Sequence, residues 1–114
     1  MFKIEITAKA RIQLTQIGEY TYLKWGKRQA TIYIDEIMAL FDFLAQNPQI
    51  GLCRDEIYQG LRSFPHKSHI IYYRITGDIV QIIGVLHKSM DSLHYFSGQR
   101  EKMIQISKAS QMNC

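Results

Sequence analysis

The sequence is poor in cysteine and proline, with two of each among 114 residues. Cys53 and Cys114 cannot build the disulfide framework of a small secreted domain, and no Cys/His spacing matches a zinc site. No apolar run approaches the roughly 20 residues of a membrane span, and residues 1–10 lack the charged and apolar regions of a signal peptide. We therefore expect a cytoplasmic protein with no membrane association, metal or cofactor.

A strong excess of one charge is also missing. Charged residues make up 21% of the chain and hydrophobic residues 46%, as in globular rather than disordered proteins. The net charge of +4 permits contact with nucleic acid or an acidic protein without demonstrating either. We expect one domain in residues 1–96, since a chain of this length buries one modest core. Residues 97–114 are polar and weakly periodic, which indicates a helical or flexible extension.

The first half of the chain predicts a strand and two helices. Residues 2–6 alternate apolar and charged side chains, as a half-buried strand does. Thr7 stands where a helix N-cap is wanted, and Gly26 stands where that helix would end. A second apolar helical pattern starts at Lys27 and stops at residues 47–48, Asn-Pro. Because so few residues separate the two helices, we expect an αα-hairpin.

Three β-biased runs follow, at residues 61–64, 70–75 and 79–86. Pro65 is expected to end the first run because proline donates no ladder hydrogen bond. A short turn containing Gly77 joins the other two, and residues 49–57 are expected to form a connection with a short helical turn. The chain is thus predicted to be α+β in the order β-α-α-β-β-β, with the hairpin packed on a small antiparallel sheet.

Polar residues lie on the predicted strands, where apolar residues would be easier to bury. By strand alternation, Tyr72 shares a face with Arg74, and Gln81 shares a face with His87. Metal-free cleavage of RNA needs a base, an acid and cations around the phosphate. The residues that fit this chemistry are Arg62, His69, Arg74 and His87.

The histidines also have structural interpretations. His66 and His69 are spaced like a metal pair, but on a strand or in a bent loop such residues point to opposite faces. No carboxylate or Cys follows at ligand spacing, so no metal site is predicted. His87 is expected to orient the turn into the C-terminal segment through a hydrogen bond to the backbone or to Asp91.

Four short segments occur together in a set order. They are TAKA at residues 7–10, WGK at 25–27, LAQNP at 44–48 and LHKSMD at 86–91. With them, residues 2–96 resemble a ParE-type toxin of the RelE/ParE superfamily, the toxic half of bacterial type II toxin–antitoxin pairs. The resemblance implies a RelE/ParE-like toxin domain over residues 1–96 and a role in growth arrest or plasmid stabilisation.

The resemblance also implies partners. Toxins of this type are neutralised by a ParD-like antitoxin in a hetero-oligomer, and when released they poison DNA gyrase without sequence-specific binding of nucleic acid. RelE-type relatives are instead ribosome-dependent mRNA endoribonucleases, often with a Tyr near the end of the last strand. Lys88 follows His87 here, where that Tyr would stand. Gyrase inhibition without catalysis is therefore the favoured prediction, with a metal-independent endoribonuclease as the alternative.

Candidate interface residues complete these expectations. If the target is bound electrostatically, the candidates are Lys9, Arg11, Lys24, Lys27, Arg28, Lys88, Arg100 and Lys102. The antitoxin candidates come from the apolar second helix and from one sheet face, and they are Ile34, Met38, Phe41, Tyr72 and Arg74. Charged helix faces are usually only solvated, so the cations are the weaker set.

Overall fold

The order of helices and strands along the chain is nearly the predicted one. The structure is a computed structural model that describes residues 2–97. The elements are β1 (Lys3–Ile6), α1 (Ala8–Trp25), α2 (Lys27–Gln46), β2 (Leu52–Cys53), β3 (Arg62–His66), β4 (His69–Thr76), β5 (Ile79–His87) and α3 (Ser92–Tyr95). The α+β class is confirmed. The added strand β2 lies in the segment predicted as a connection, and with two residues it has no alternation to detect. The predicted extension 97–114 lies outside the described residues, apart from Ser97.

The helices begin and end where their capping residues stand. The Thr7 hydroxyl accepts a hydrogen bond from the Ala10 N–H at 3.2 Å, as an N-cap does. Gly26 separates the helices at φ 93°, a conformation that residues with a Cβ rarely adopt. The Asn47 side chain donates to the Phe43 carbonyl at 3.1 Å and closes α2. The predicted hairpin and its boundaries are confirmed, and none of the helices within residues 2–97 is long and apolar enough to cross a bilayer.

The five strands form one sheet in the order β1-β5-β4-β3-β2. Strands β3, β4 and β5 form the antiparallel meander that was predicted, and β2 adds to it antiparallel to β3. β1 pairs parallel to β5, so the sheet is mixed. α1 runs along β5 in the direction of β1, and its Gln13 side chain accepts a hydrogen bond from the Val85 N–H at 2.9 Å. α2 runs back to the start of β1, where the Ala45 carbonyl accepts from the Phe2 N–H at 3.1 Å.

Pro65 lies inside β3 and does not end it. β3 pairs with β4 from Arg62 opposite Tyr73 to His66 opposite His69. Only Arg62 and Ser63 pair with β2 on the other side, so Pro65 occupies a stretch of β3 with an unpaired edge, where proline is tolerated. The expectation that His66 and His69 point to opposite faces was wrong, because the two residues are cross-strand partners at a tight turn.

A β-bulge in β5 changes a second face assignment. The register shifts between Tyr72, opposite Gly84, and Tyr73, opposite Ile82, which leaves an extra residue in β5. A bulge reverses the alternation beyond it. Gln81 and His87 therefore lie on opposite faces of the sheet, contrary to the prediction. Tyr72 and Arg74 do share a face, as predicted.

Both faces of the sheet are covered by apolar residues. On the helix side, the buried core comprises Ala10, Ile17, Ile37, Phe41, Leu44, Ile71, Tyr73, Val80, Ile82 and Val85. On the other side it comprises Ile57, Tyr58, Leu61, Tyr72, Ile83, Leu86 and Phe96. The Phe96 ring contacts those of Tyr58 and Tyr72, with centroids 5.8 and 5.2 Å away. The loop before β3 and Phe96 cover this second face.

Candidate functional site

Three histidines and a tyrosine meet where the β3–β4 turn lies against α2. The Tyr33 hydroxyl and His69 Nδ1 are 2.6 Å apart, and the Tyr33 ring lies 5.5 Å from the rings of both His66 and His69. His87 is the strand partner of His69, and their rings meet edge to face at 5.4 Å. The sequence could not indicate Tyr33 as a member, because it belongs to a helix and reaches the group only through the fold.

A carboxylate anchors the turn to α2 beside this cluster. Glu36 Oε1 lies 2.8 Å from His66 Nε2 and 2.9 Å from Lys67 Nζ. Hydrogen bonds from Lys67 and His66 hold the pKa of Glu36 below its usual range. The Glu36 carboxylate is therefore already paired with His66 and Lys67.

His69 is a neutral imidazole near pH 7. Burial, together with the nearby His87 and His66, lowers its pKa to about 4. Burial also raises the pKa of Tyr33, so its hydroxyl stays protonated. The pair therefore offers hydrogen-bonding groups rather than charges.

A pocket of about 450 Å³ opens beside the cluster, at the end of the helical hairpin. Its lining includes Tyr20, Lys24, Trp25, Tyr33, His69 and His87, and we call it the hairpin-tip pocket. Lys24 Nζ lies 5.6 Å from the centre of the Tyr20 ring and 5.7 Å from that of Trp25. None of the residues that line the pocket in the described part of the chain is acidic.

The four residues of the predicted ribonuclease set do not come together. His69 and His87 are in contact, and so would have to separate before acting on two sides of a phosphate. Arg62 is on the same face but four positions along β3 from the turn, roughly 13 Å away at the usual rise of a strand. It is buried, and its guanidinium donates to two carbonyls of the loop after α2 at 3.0 and 2.9 Å. Arg74 is buried on the opposite face of the sheet.

The structural role predicted for His87 is confirmed. Its Nδ1 accepts a hydrogen bond from the Ser89 N–H at 3.1 Å and lies 2.7 Å from the Ser89 hydroxyl. Asp91, the other predicted partner, instead caps α3 by accepting from the His94 N–H at 3.2 Å. His87 thus shapes the turn after β5 while its ring stays in the histidine cluster.

Most residues predicted to contact an antitoxin lie inside the cores of the chain. Phe41, Tyr72 and Arg74 are buried, Ile34 is half-buried, and Met38 is exposed. Larger exposed apolar side chains lie at the end of the hairpin and around β2, and they are Tyr20, Tyr22, Leu23, Trp25, Ile50 and Leu52. Because these residues do not continue the apolar stripe of either helix, the helical pattern did not single them out.

The predicted target-binding cations are exposed where the structure describes them. These are Lys9, Arg11, Lys24, Lys27, Arg28 and Lys88, while Arg100 and Lys102 lie outside the described residues. They line more than one groove. Lys24 lines the hairpin-tip pocket, whereas Lys27 lines a separate groove between the helices, and Lys9 lies over the Tyr95 ring.

Within residues 2–97, no group of three or more His, Cys, Asp and Glu residues is arranged to hold a metal ion. Three ring nitrogens of the histidine cluster already bond to neighbours within the chain, and one of them is His87 Nδ1, which bonds to Ser89. Nδ1 of His69 is bonded to Tyr33, and Nε2 of His66 to Glu36. The cluster is a group of hydrogen-bonded side chains that connects α2 to the sheet.

An αα-hairpin on one face of a five-stranded mixed sheet is the small α+β fold of this chain. A solved structure titled "Chromosomal ParDE TA system from P. aeruginosa" shares this fold, with a TM-score of 0.68 and 21% identity over 76% of this chain and 96% of that chain. Residues 4–92 match the family described as "ParE toxin of type II toxin-antitoxin system, parDE". The chain belongs to this family.

Curated relatives agree with the assignment. Toxin ParE1 of Mycobacterium tuberculosis (strain ATCC 25618 / H37Rv) is 38% identical over 87 residues, which cover 75% of this chain and 89% of the relative. Toxin ParE1 of Caulobacter vibrioides is 33% identical over 87 residues, covering 76% and 90%. The predicted family is confirmed: the chain is the toxin of a type II toxin–antitoxin system, and this implies an antitoxin partner.

Proposed function

We propose that this toxin inhibits DNA gyrase in the cytoplasm and is neutralised by a ParD-like antitoxin in a hetero-oligomer. The observation that carries the proposal is the match of residues 4–92 to the ParE toxin family. The geometry of the predicted ribonuclease set supports the choice of gyrase over mRNA. Arg62 is occupied by main-chain carbonyls, Arg74 is on the far face of the sheet, and Lys88 stands where RelE-type enzymes often have Tyr.

Exposed apolar residues support the antitoxin half of the proposal. Leu23 is 83% exposed and, with Tyr22, lines a groove of about 700 Å³ between α1 and α2. Leu52 is exposed on β2, the outermost strand at one edge of the sheet. Apolar exposure usually marks a protein-binding surface where it is clustered, as at Tyr22 and Leu23. A segment that wraps around the chain would contact the exposed β2 edge as well. We also propose that residues 1–96 are the toxin domain and 97–114 an extension to it.

A gyrase assay tests the proposed target. The purified chain is incubated with gyrase, ATP and relaxed plasmid, and we expect reduced supercoiling and accumulation of linear DNA after the proteins are denatured. Pre-incubation with the antitoxin should restore supercoiling, and gyrase alone provides the baseline. Supercoiling that is unchanged at stoichiometric toxin would overturn the proposal.

The same preparation distinguishes the ribonuclease alternative. Added to a translation extract, the toxin should leave mRNA intact at doses that inhibit gyrase. Cleaved message together with unaffected gyrase would identify the chain as an endoribonuclease instead.

A further inference from the structure

The hairpin-tip pocket combines exposed aromatic rings with an unpaired cation. We propose that it binds a nucleotide, with the base stacked on Trp25 or Tyr20 and the phosphate held by Lys24. This proposal does not depend on gyrase being the target of the toxin. The same chemistry is found in a free nucleoside phosphate and in a nucleotide that is part of a single strand.

The aromatic residues provide the surface for the base. Trp25 is 64% and Tyr20 is 61% exposed, although burial of such large rings normally stabilises a fold. They stand on either side of Lys24 at the end of α1. Exposed aromatic rings beside cations are the arrangement by which proteins stack single bases without reading their sequence.

Lys24 provides the charge for the phosphate. Its ammonium lies over both rings and donates to the Tyr20 hydroxyl at 3.2 Å. Within residues 2–97 no carboxylate pairs with it, in contrast to Lys67, which Glu36 neutralises at 2.9 Å. An ammonium without a counter-ion and with free N–H groups is a suitable partner for a phosphate.

The opposite wall offers hydrogen bonds at fixed positions. Tyr33, His69 and His87 are held by α2 and by the β4–β5 register, and Ser68 and Gln29 stand beside them. Such groups can pair with the polar edge of a base. The volume of about 450 Å³ falls within the roughly 300–1,000 Å³ typical of small-molecule sites.

A nucleotide is the ligand class that uses all of these features. Inorganic phosphate would leave Trp25 and Tyr20 unused, and a neutral aromatic compound would leave Lys24 without a partner. A cationic ligand has no carboxylate to bind among the residues that line the pocket. A nucleotide carries both groups, an aromatic base and a phosphate, in one molecule.

The experiment uses the indole of Trp25, the only tryptophan of the chain, as its reporter. The full chain is titrated with AMP, adenosine, inorganic phosphate and a four-nucleotide thymidine oligomer, and the indole N–H signal is followed by NMR. We expect AMP to shift the signal saturably, with adenosine and phosphate each binding at least about tenfold more weakly. If the oligomer binds more tightly than AMP, the ligand is a nucleotide within a single strand. Equal affinity for the two indicates that the ligand is a free nucleotide.

Variants test the roles of the named residues. Lys24→Gln should weaken AMP binding about tenfold or more, whereas Lys27→Gln should leave it unchanged, because Lys27 lines a different groove. Both residues are exposed, so both variants should fold, which circular dichroism checks. An indole signal that neither AMP nor the oligomer moves at millimolar concentration overturns the proposal. Equal losses in the two variants do so as well, since they would indicate non-specific attraction of anions.

Discussion

Arg62 shows how a residue of catalytic type can serve the fold. Its guanidinium is buried and bonded to carbonyls of Gln49 and Gly51, so it ties β3 to the loop that follows α2. Removal of this buried guanidinium leaves the two carbonyls without a hydrogen-bond donor.

We predict that Arg62→Ala lowers the free energy of unfolding by about 2–4 kcal/mol. Arg28→Ala, at an exposed position of α2, should change it by less than about 0.5 kcal/mol. Urea denaturation of both variants measures the difference. A catalytic role for Arg62 would be supported instead if Arg62→Ala kept full stability and lost only toxicity.

His69 makes the stability of the fold sensitive to pH. Burial and the neighbouring His87 and His66 lower its pKa to about 4, below the value of about 6.5 in an unfolded chain. The unfolded state therefore takes up a proton more readily than the folded state. The contribution of His69 is complete above pH 6.5 and is lost as the pH falls from there towards 4.

We predict that the free energy of unfolding is about 1 kcal/mol lower at pH 5 than at pH 7. This value is reduced to allow for the partial exposure of His69 to solvent. His69→Asn keeps a polar atom near the Tyr33 hydroxyl but does not titrate, so its stability should change less over this range. Urea midpoints at the two pH values provide the measurement. Equal pH dependence in the two proteins would mean that other groups cause it.

At the scale of elements, one tyrosine fixes the loop after α2 to β4. The Tyr73 hydroxyl donates to the Pro48 carbonyl at 2.8 Å and accepts from the Gly51 N–H at 2.9 Å. A Cβ at Gly51 would overlap this hydroxyl. The close approach of loop and strand is therefore possible only with glycine at this position.

We predict that Gly51→Ala lowers the free energy of unfolding by about 1–3 kcal/mol, as overpacked sites do. A Tyr73→Phe background removes the hydroxyl, which is the nearest atom, but leaves the ring carbons Cε1 and Cζ 2.8 Å from the added methyl. Gly51→Ala should therefore cost less in that background but still destabilise the fold. A double-mutant cycle by urea denaturation tests the coupling. If the effects of the two substitutions on the free energy of unfolding were strictly additive, the cost of Gly51→Ala would not come from contact with the Tyr73 hydroxyl.

Element boundaries could be predicted where the signals are local. Thr7, Gly26 and Asn47 act on residues within four positions, and both helices were placed correctly from them. The β5 bulge and the pairing of His66 with His69 depend on register between strands, which no single residue encodes. Tyr33 and Trp25 reached the candidate site only when the hairpin folded over the sheet. The site therefore could not be predicted, although the fold class could.

At the scale of the whole molecule, most of the exposed large apolar side chains among residues 2–97 lie on the hairpin. We predict that Leu23→Ser changes the stability of the chain by less than about 0.5 kcal/mol, because Leu23 is mostly exposed. The same change should weaken antitoxin binding about tenfold, since an apolar contact is lost. Calorimetric titration with the antitoxin provides the measurement, and Leu93→Ser on α3 is the matched control. Equal affinities for the two variants would place the antitoxin elsewhere.

The parallel pairing of β1 with β5 has a consequence for the timing of synthesis. Glu5 of β1 lies opposite Gln81 of β5, 76 positions later in the chain. A growing chain cannot complete this sheet until β5 has left the ribosome, because the hairpin, β2, β3 and β4 are made before it. The toxin fold is therefore finished only when most of the chain exists. Fragments released early by interrupted translation lack the strand that holds β1, so they should be harmless to the cell that makes them.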